Sequence, residues 1–255
     1  MSKQIPNIFT LLNLIFGCLA IIMTLQQGIV LQMAEETGMQ YVDIPEKIWM
    51  ASLFIGLAAV IDFLDGFVAR AMKATSEMGK QLDSLADVVS FGVAPSMILY
   101  QFLRLGFSAY EASLDVPFWW LLPALLPAAG AAYRLAKFNL DTRQTEWFRG
   151  VPTPAAGLFV ASLPLIYWNS DVTAVILAIK SPWLIISIAL LLTILMVSEL
   201  PMLSFKFGKG SRSNLPRIIL LSLVIPASLL HGWMAVPLIF LAYIILSLIF
   251  KRHAS

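Results

Sequence analysis

The chain has 255 residues, of which 59% are hydrophobic and 13% are charged, and its formal net charge is +2. A soluble globular protein carries roughly 25% charged residues, so this composition excludes a soluble enzyme, and no nucleic-acid partner is expected. The single cysteine, Cys18, excludes an internal disulfide and a thiolate metal cluster.

Apolar stretches long enough to cross a bilayer follow one another along the chain. They predict an all-α integral membrane protein with about eight transmembrane helices, in a single domain over residues 1–255. The first stretch is interpreted as a retained span, because its apolar run continues past Cys18. A tight connection at 231–233 predicts that the last two spans form a helical hairpin. The predicted spans are 8–26, 48–70, 82–103, 117–137, 153–169, 182–200, 215–230 and 233–250.

The placement of lysine and arginine predicts how these spans are oriented, because cytoplasmic loops carry an excess of basic residues. With the N-terminus in the cytoplasm, 14 of the 17 basic residues lie on the cytoplasmic side, and only Lys47, Arg104 and Lys180 lie outside. Both termini are therefore expected to be cytoplasmic.

Four aspartates interrupt the apolar pattern at one membrane face. Asp62 and Asp65 end the second span, Asp83 and Asp87 begin the third, and the short 71–80 connection brings the two pairs together. Spacings of i,i+3 and i,i+4 place each pair on one face of its helix. Carboxylates are costly near the bilayer interior, and divalent cations would offset their mutual repulsion. Oxygen ligands without histidine or cysteine favour Mg²⁺, Mn²⁺ or Ca²⁺, and four acids suit two such ions.

The residues between the two acidic pairs are suited to bind phosphate. Gly66 allows close backbone approach, Arg70 can form bidentate hydrogen bonds, and Ser76 offers a hydroxyl. Gly79 removes bulk where the third span begins, and the N-terminus of a helix favours an anion. Taken alone, Arg70 is an ordinary membrane anchor and an aspartate pair is a solvated helix cap. The joint pattern is far rarer than its parts.

That pattern is D-x2-D-G-x2-A-R-x8-G-x3-D-x3-D, and the chain meets every spacing with Asp62, Asp65-Gly66, Ala69-Arg70, Gly79, Asp83 and Asp87. It resembles the signature of the CDP-alcohol phosphotransferases, membrane enzymes that attach an alcohol to a phosphatidyl group and release CMP. Further stretches resemble the phosphatidylserine synthase branch: IPNIFTLLNL at 5–14, DVVSFGVAP at 87–95, YRLAKFNLD at 133–141 and GVPTPAAG at 150–157. The expected catalytic core is 1–160, with additional transmembrane helices over 161–255.

The resemblance implies roles for individual residues. Asp62, Asp65 and Asp83 would hold a first Mg²⁺ or Mn²⁺ ion, and Asp62, Asp83 and Asp87 a second. Asp87 would also be the general base that accepts the proton of the acceptor hydroxyl. The positions implied to bind CDP-diacylglycerol are Asn7, Thr10, Asp62, Gly66, Arg70, Ser76 and Gly79.

The resemblance further implies that the acceptor is L-serine, with phosphatidylserine and CMP as products. Serine is a zwitterion, so its site needs a cation for the carboxylate and hydrogen-bond acceptors for the ammonium. We expect Arg134 to bind the carboxylate, with Ser90, Asn139 and Thr153 lining the pocket. Topological anchoring is the alternative for Arg134 and the preferred interpretation for Lys137.

A homodimer in a bacterial inner membrane, with its active site facing the cytoplasm, is the implied assembly. Two alternatives to a serine transferase stay open. Another member of the family could use glycerol 3-phosphate or inositol phosphate, although these acceptors would need more cationic pockets. A cation transporter is disfavoured because the acids cluster at one face instead of stepping through the bilayer.

Overall fold

The structure of the protein, a computed structural model, describes residues 5–33, 40–72, 76–111, 115–140, 147–203 and 211–250. Within these ranges the helices are α1 (Ile5–Gln26), α2 (Trp49–Ala71), α3 (Glu77–Asp87), α4 (Ala94–Glu111), α5 (Phe118–Leu121), α6 (Leu126–Leu140), α7 (Thr153–Asn169), α8 (Thr173–Lys180), α9 (Pro182–Val197), α10 (Ser211–His231) and α11 (Ala235–Phe250). The strands are β1 (Val30–Met33), β2 (Gln40–Asp43), β3 (Trp147–Arg149) and β4 (Pro201–Leu203).

Helices dominate because a bilayer offers the backbone no hydrogen-bond partners, so each spanning segment must bond within itself. The described helices that are long and apolar enough to cross a membrane cover Pro6–Gln26, Glu46–Ala71, Glu77–Ala109 and Leu215–Phe250. Helices α8 and α9, bent by 73° at their junction, would add a fifth span if they cross together. The predicted class of helical integral membrane protein is therefore confirmed.

The number of eight spans stays a prediction. Helix α6 has 15 residues and α7 has 17, fewer than the approximately 20 that a span perpendicular to the bilayer requires. Helices α10 and α11 contact each other across a turn at Gly232, whose φ of 54° suits a residue without a side chain. The predicted hairpin therefore has the expected turn.

The structure contains two small antiparallel sheets, which the purely helical prediction did not include. Strand β1 pairs with β2, with Val30 opposite Asp43. Strand β3 pairs with β4, with Trp147 opposite Leu203, so that the connection after α6 is joined to the connection after α9. Strands of three or four residues are too short to show an alternating hydrophobic pattern, which is why the sequence did not indicate them.

Helix α4 forms the centre of the molecule. Its Ile98, Leu99, Phe102 and Leu103 are completely buried, and it contacts α1, α7 and α9. Helices α1 and α2 pack against each other along much of their length. Their outer faces expose large apolar side chains such as Phe63, as expected for surfaces that meet lipid.

The chain between α3 and α4 continues as a π-helical turn, Val88–Val93. Helices α1 and α7 approach this turn closely at two glycines. A Cβ atom on Gly17 would lie 2.5 Å from Ser90 Oγ, and one on Gly157 would lie 3.0 Å from the Cα of Phe91. The turn directly follows Asp87, and such turns are frequent at functional sites.

The predicted orientation depends partly on basic residues that lie outside the described ranges. Both ends of the chain also lie outside these ranges. The basic residues outside them are Lys3, Lys73, Arg143, Lys206, Lys209, Lys251 and Arg252. The orientation therefore stays a prediction.

Candidate active site

The acidic motif folds into one cluster where the end of α2 meets α3. An oxygen atom from each of Asp62, Asp83 and Asp87 lies within 4.8 Å of the oxygens from the other two. Asp87 is 7% exposed, and Asp83 Oδ1 is buried without a hydrogen-bond partner. The i,i+4 spacing on α3 and the short connection to α2 produce this convergence.

The fourth aspartate, Asp65, lies beside this cluster and is bonded to α1. Thr10 Oγ1 donates a hydrogen bond to Asp65 Oδ2 at 2.8 Å. Helix α1 makes a second contact one turn later, where Asn13 Nδ2 donates to Asp87 Oδ1 at 3.1 Å. Both α1 residues are buried, so α1 orients one carboxylate from each acidic pair.

Asn13 was not among the predicted site residues. It is completely buried and its own Oδ1 has no hydrogen-bond partner. Burying an amide is costly unless its hydrogen bonds are made. An asparagine in the middle of the apolar 8–26 stretch was therefore a signal that a polar partner lies on another helix.

The cluster suits a divalent cation. In the described part of the chain, none of Asp62, Asp83 and Asp87 forms an ion pair with a lysine or arginine. Three carboxylates that lie together, one buried and two half-buried, repel each other when no lysine or arginine is paired with them. The donors are all carboxylate oxygens, the ligands preferred by Mg²⁺ and Mn²⁺. The unpartnered oxygen of Asp83 is a free ligand atom.

A cavity of about 480 Å³, the larger cavity, opens beside these acids. Asp65 and Asp83 contribute to its wall. The residues predicted to bind CDP-diacylglycerol line it, with the exception of Asp62; they are Asn7, Thr10, Gly66, Arg70, Ser76 and Gly79. The structure thus brings together six residues that lie on α1, α2 and the start of α3.

The N-terminus of α3 faces the larger cavity. Ser76 caps this helix, since its Oγ accepts a hydrogen bond from the backbone N–H of Gly79 at 3.0 Å. A Cβ atom on Gly79 would lie 3.2 Å from Asn7 Oδ1. A side chain at this position would crowd Asn7, so glycine keeps the helix start accessible. Unpaired N–H groups and the helix dipole favour a bound anion there.

A second cavity of about 190 Å³, the smaller cavity, lies on the other side of the acids. Lys80 and Asp83 line both cavities, so the two share a wall. The other residues that line the smaller cavity are Ser84, Asp87, Arg134, Leu135, Phe138, Asn139, Pro152 and Pro154. Two of the four predicted serine-binding residues, Arg134 and Asn139, are therefore in its wall.

Hydrogen bonds fix the polar groups of the smaller cavity. Arg134 Nη1 donates to Thr153 Oγ1 at 3.2 Å, whereas Arg134 Nε is buried without a partner. Asn139 Nδ2 donates to Ser84 Oγ at 2.8 Å, and Lys80 Nζ donates to the Asn139 carbonyl at 3.3 Å. The first bond joins α6 to α7, the other two join α3 to α6, and one buried donor of Arg134 remains without a partner.

Ser90 and Thr153 differ from the predicted arrangement, because neither side chain lines the smaller cavity. Ser90 is completely buried and donates to the carbonyl oxygen of Asn13 at 2.9 Å. The prediction for Ser90 assumed a regular α-helix after Asp87, and the π-helical turn from Val88 changes the direction of the side chains. Thr153 is also completely buried, and its Oγ1 accepts the hydrogen bond from Arg134 Nη1.

Lys137 lies away from both cavities on the protein surface. Its Nζ forms an ion pair with Glu199 Oε1 at 3.0 Å, and Arg149 lies 3.6 Å from the other carboxylate oxygen. These contacts join the chain near the ends of α6 and α9. Topological anchoring by Lys137 stays a prediction.

Sequence comparison relates this arrangement to known proteins. A sequence model of the CDP-alcohol phosphatidyltransferase family matches residues 3–195. The CDP-diacylglycerol–serine O-phosphatidyltransferase of Helicobacter pylori is 30% identical over 259 positions, which cover 98% of this chain and 96% of that protein. The protein of the same name from Bacillus subtilis is 40% identical over 121 residues, covering 48% of this chain and 63% of that protein. An archaetidylserine synthase from Methanothermobacter thermautotrophicus is 33% identical over 139 residues, or 54% and 55% of the two chains.

Proposed function

Because this chain belongs to the CDP-alcohol phosphatidyltransferase family, we propose that it transfers the phosphatidyl group of CDP-diacylglycerol to the hydroxyl of L-serine, giving phosphatidylserine and CMP. The observation that carries this proposal is the shared wall of two cavities at one acidic cluster. One cavity suits a pyrophosphate and the other a small zwitterion. The names of the similar proteins support serine as the acceptor.

The larger cavity binds the CDP part of the lipid substrate. The N–H groups at the start of α3 and the Arg70 guanidinium face the pyrophosphate, and Asn7 and Thr10 border the nucleotide. The acyl chains remain in the bilayer. Gly66 allows the Arg70 guanidinium to lie back against its own helix, since a Cβ atom on Gly66 would be 3.4 Å from Arg70 Nη1.

Two divalent ions, Mg²⁺ or Mn²⁺, are the proposed cofactors. Asp62, Asp83 and Asp87 would hold one ion, and Asp62, Asp65 and Asp83 would hold the other. When bound, such ions supply positive charge that stabilises the additional negative charge of a phosphoryl transfer. Thr10 orients Asp65 for this role through the hydrogen bond at 2.8 Å.

Asp87 acts as the general base. It belongs to the acidic cluster and also lines the smaller cavity, so its carboxylate faces the acceptor. Asn13 holds Oδ1, which leaves the other oxygen to take the proton of the serine hydroxyl. The serine oxygen then bonds to the phosphorus that carries diacylglycerol, and the bond from that phosphorus to CMP breaks. Arg70 offsets the charge of the departing CMP, and no covalent enzyme intermediate forms.

The smaller cavity binds L-serine. The unpartnered Nε of Arg134 is the donor for the serine carboxylate. Thr153 fixes the guanidinium, because its Oγ1 accepts a hydrogen bond from Arg134 Nη1. Asn139 lies in the same wall. Ser90 supports the site indirectly, because its hydroxyl bonds to the backbone of Asn13.

The decisive experiment measures CMP release from CDP-diacylglycerol by the purified protein. L-serine, glycerol 3-phosphate and inositol phosphate are offered separately, and we expect release with L-serine alone. Addition of EDTA should stop the reaction, and excess Mg²⁺ or Mn²⁺ should restore it. Release with glycerol 3-phosphate but not with serine would refute the acceptor while leaving the family intact. Cation flux into liposomes without any nucleotide lipid would instead support the transporter alternative.

The wider arrangement is also part of the proposal. Eight spans with both termini in the cytoplasm place the acidic cluster at the cytoplasmic face of a bacterial inner membrane, as the distribution of basic residues supports. The chain forms one membrane domain, and every proposed site residue lies within the 1–160 core. The protein acts as a homodimer, which light scattering in detergent would test.

A further inference from the structure

Helix α11 (Ala235–Phe250) lies beyond residue 195, where the family match ends, and the chemistry proposed above uses none of its residues. We infer that α11 positions the serine-binding side of the active site through Tyr243 and Ser247. This inference rests on the proposed function, because it concerns the smaller cavity and its Arg134.

Polar side chains on α11 are directed to one strand. Tyr243 and Ser247 are the only polar residues among the 16 of this helix. Tyr243 donates its hydroxyl hydrogen to the Leu203 carbonyl at 3.0 Å, and Ser247 Oγ accepts from the Leu203 N–H at 3.1 Å. Both side chains are buried, at 4% and 0% exposure. A helix that served only to meet lipid would need no buried polar contacts of this kind.

Strand β4 connects the hydrogen bonds from Tyr243 and Ser247 to the segment that follows β3. Leu203 is opposite Trp147 in the two-stranded sheet. Beyond the sheet, the N–H of Gly150 donates to the Leu200 carbonyl at 2.8 Å, and the N–H of Val151 donates to the Leu195 carbonyl at 3.0 Å. Gly150 has a φ of 72°, which a glycine adopts without strain. The backbone at 149–151 is therefore held against the last turn of α9 and the chain that leads from it into β4.

This segment leads directly into the smaller cavity. Pro152 and Pro154 line that cavity, and Thr153 between them accepts the hydrogen bond from Arg134 Nη1. Loss of the α11 contacts would loosen β4, then the 150–154 segment, and would let Arg134 leave the orientation that suits a carboxylate.

The test compares two variants of the full-length protein, Tyr243→Phe and Ser247→Ala, by steady-state CMP release. We expect each variant to raise the KM for serine by about two- to tenfold, the effect of one lost hydrogen bond. The KM for CDP-diacylglycerol should stay at the wild-type value, because the larger cavity is formed by other helices. Ser247→Thr, which keeps the hydroxyl, should retain the wild-type KM for serine.

Ser222→Ala on α10 is the matched control, because that exposed hydroxyl bonds only to the Ile219 carbonyl of its own helix. A wild-type KM for serine in both α11 variants would overturn the inference, even if their thermal stability fell. An equal rise in the KM of both substrates would also overturn it. If wild-type protein releases no CMP with serine, the proposed function fails, and the same variants are compared with the alcohol that does support release.

Discussion

At the scale of single residues, helix α1 completes the acidic site. The four aspartates come from α2 and α3, but Thr10 and Asn13 of α1 bond to one member of each pair. A hydrogen bond from a neutral amide favours the charged form of a carboxylate and limits its rotation. Asn13 therefore acts on the chemistry through Asp87 and is a positioning residue.

Asp87→Asn should abolish CMP release, because an amide cannot accept the proton of the serine hydroxyl. The variant keeps the shape of the side chain, so CDP-diacylglycerol should still bind in the larger cavity. Turnover is measured as CMP release, and lipid binding by the ability of CDP-diacylglycerol to raise the melting temperature. Wild-type turnover in the variant would exclude Asp87 as the base.

Asn13→Leu should lower kcat by roughly 10- to 100-fold, because a hydrogen bond to a charged group contributes about 1.5–3 kcal/mol. The KM values for both substrates should change little, since Asn13 lines neither cavity. Thr24→Val is the control, because Thr24 is also buried on α1 but its side-chain hydroxyl donates to the Ala20 carbonyl of its own helix. Equal kcat values for the two variants would contradict a positioning role for Asn13.

At the scale of secondary-structure elements, the π-helical turn between α3 and α4 sets the geometry around Asp87. Its Ser90 is bonded to the Asn13 carbonyl, and the adjacent Phe91 is buried against Gly157 of α7. The turn is therefore held from both sides, by α1 and by α7. Small residues at such crossings are what allow membrane helices to approach closely.

Gly17→Ala should destabilise the protein, because the new Cβ atom would lie 2.8 Å from the Ser90 Cα and a backbone atom cannot move aside cheaply. Overpacking of this kind costs typically about 1–3 kcal/mol. Gly56→Ala on α2 is the matched control, since nothing lies within 4 Å of that position and alanine favours a helix by about 1 kcal/mol. Thermal unfolding in detergent should show a lower melting temperature for the first variant only. A melting temperature unchanged by Gly17→Ala would contradict the close contact.

At the scale of the whole molecule, a second polar cluster lies far from the active site along α7. Tyr167 donates to Asp43 Oδ1, and Lys180 Nζ lies 3.7 Å from Asp43 Oδ2. Tyr167 is 14 residues after Thr153, or about 21 Å along the helix axis. The cluster joins β2, α7 and α8, so it contributes to stability without contacting either cavity.

Tyr167→Phe should lower the free energy of unfolding by about 1–2 kcal/mol, because the buried Asp43 loses one hydrogen bond while the ring keeps its packing. Both KM values should remain at the wild-type level. Tyr41→Phe serves as the control, since the exposed Tyr41 hydroxyl bonds to Gln32 on the surface hairpin. Equal stability of the two variants would show that the Asp43 cluster is not stabilising.

The orientation of the molecule can be tested with cysteine variants in a Cys18→Ser background. Asp171 and Gln81 are both exposed, and the predicted orientation puts the first outside and the second in the cytoplasm. A membrane-impermeant maleimide should label Asp171→Cys in intact cells, and Gln81→Cys only after permeabilisation. The reverse pattern would invert the proposed topology and move the acidic cluster to the outer face.

Local features of the sequence were enough to predict the helical membrane class, the family and the convergence of the acids. Each depends on local properties: the length of apolar runs, and the spacing of Asp62, Asp83 and Asp87 across one short connection. The residues that line the larger cavity could also be predicted from local sequence, because most lie within the motif and the segments next to it.

Which distant helix faces meet could be seen only in the folded molecule. Asn13 contacts an aspartate 74 positions away, and α11 bonds to a strand about 40 residues earlier; neither partner can be identified from periodicity. Ser90 bonds to the Asn13 carbonyl and does not line the smaller cavity, because a π-helical turn redirects its side chain. The two sheets form between strands that are too short to show a hydrophobic pattern. Contacts of this kind depend on how helices pack, a property of the folded chain and not of any local segment.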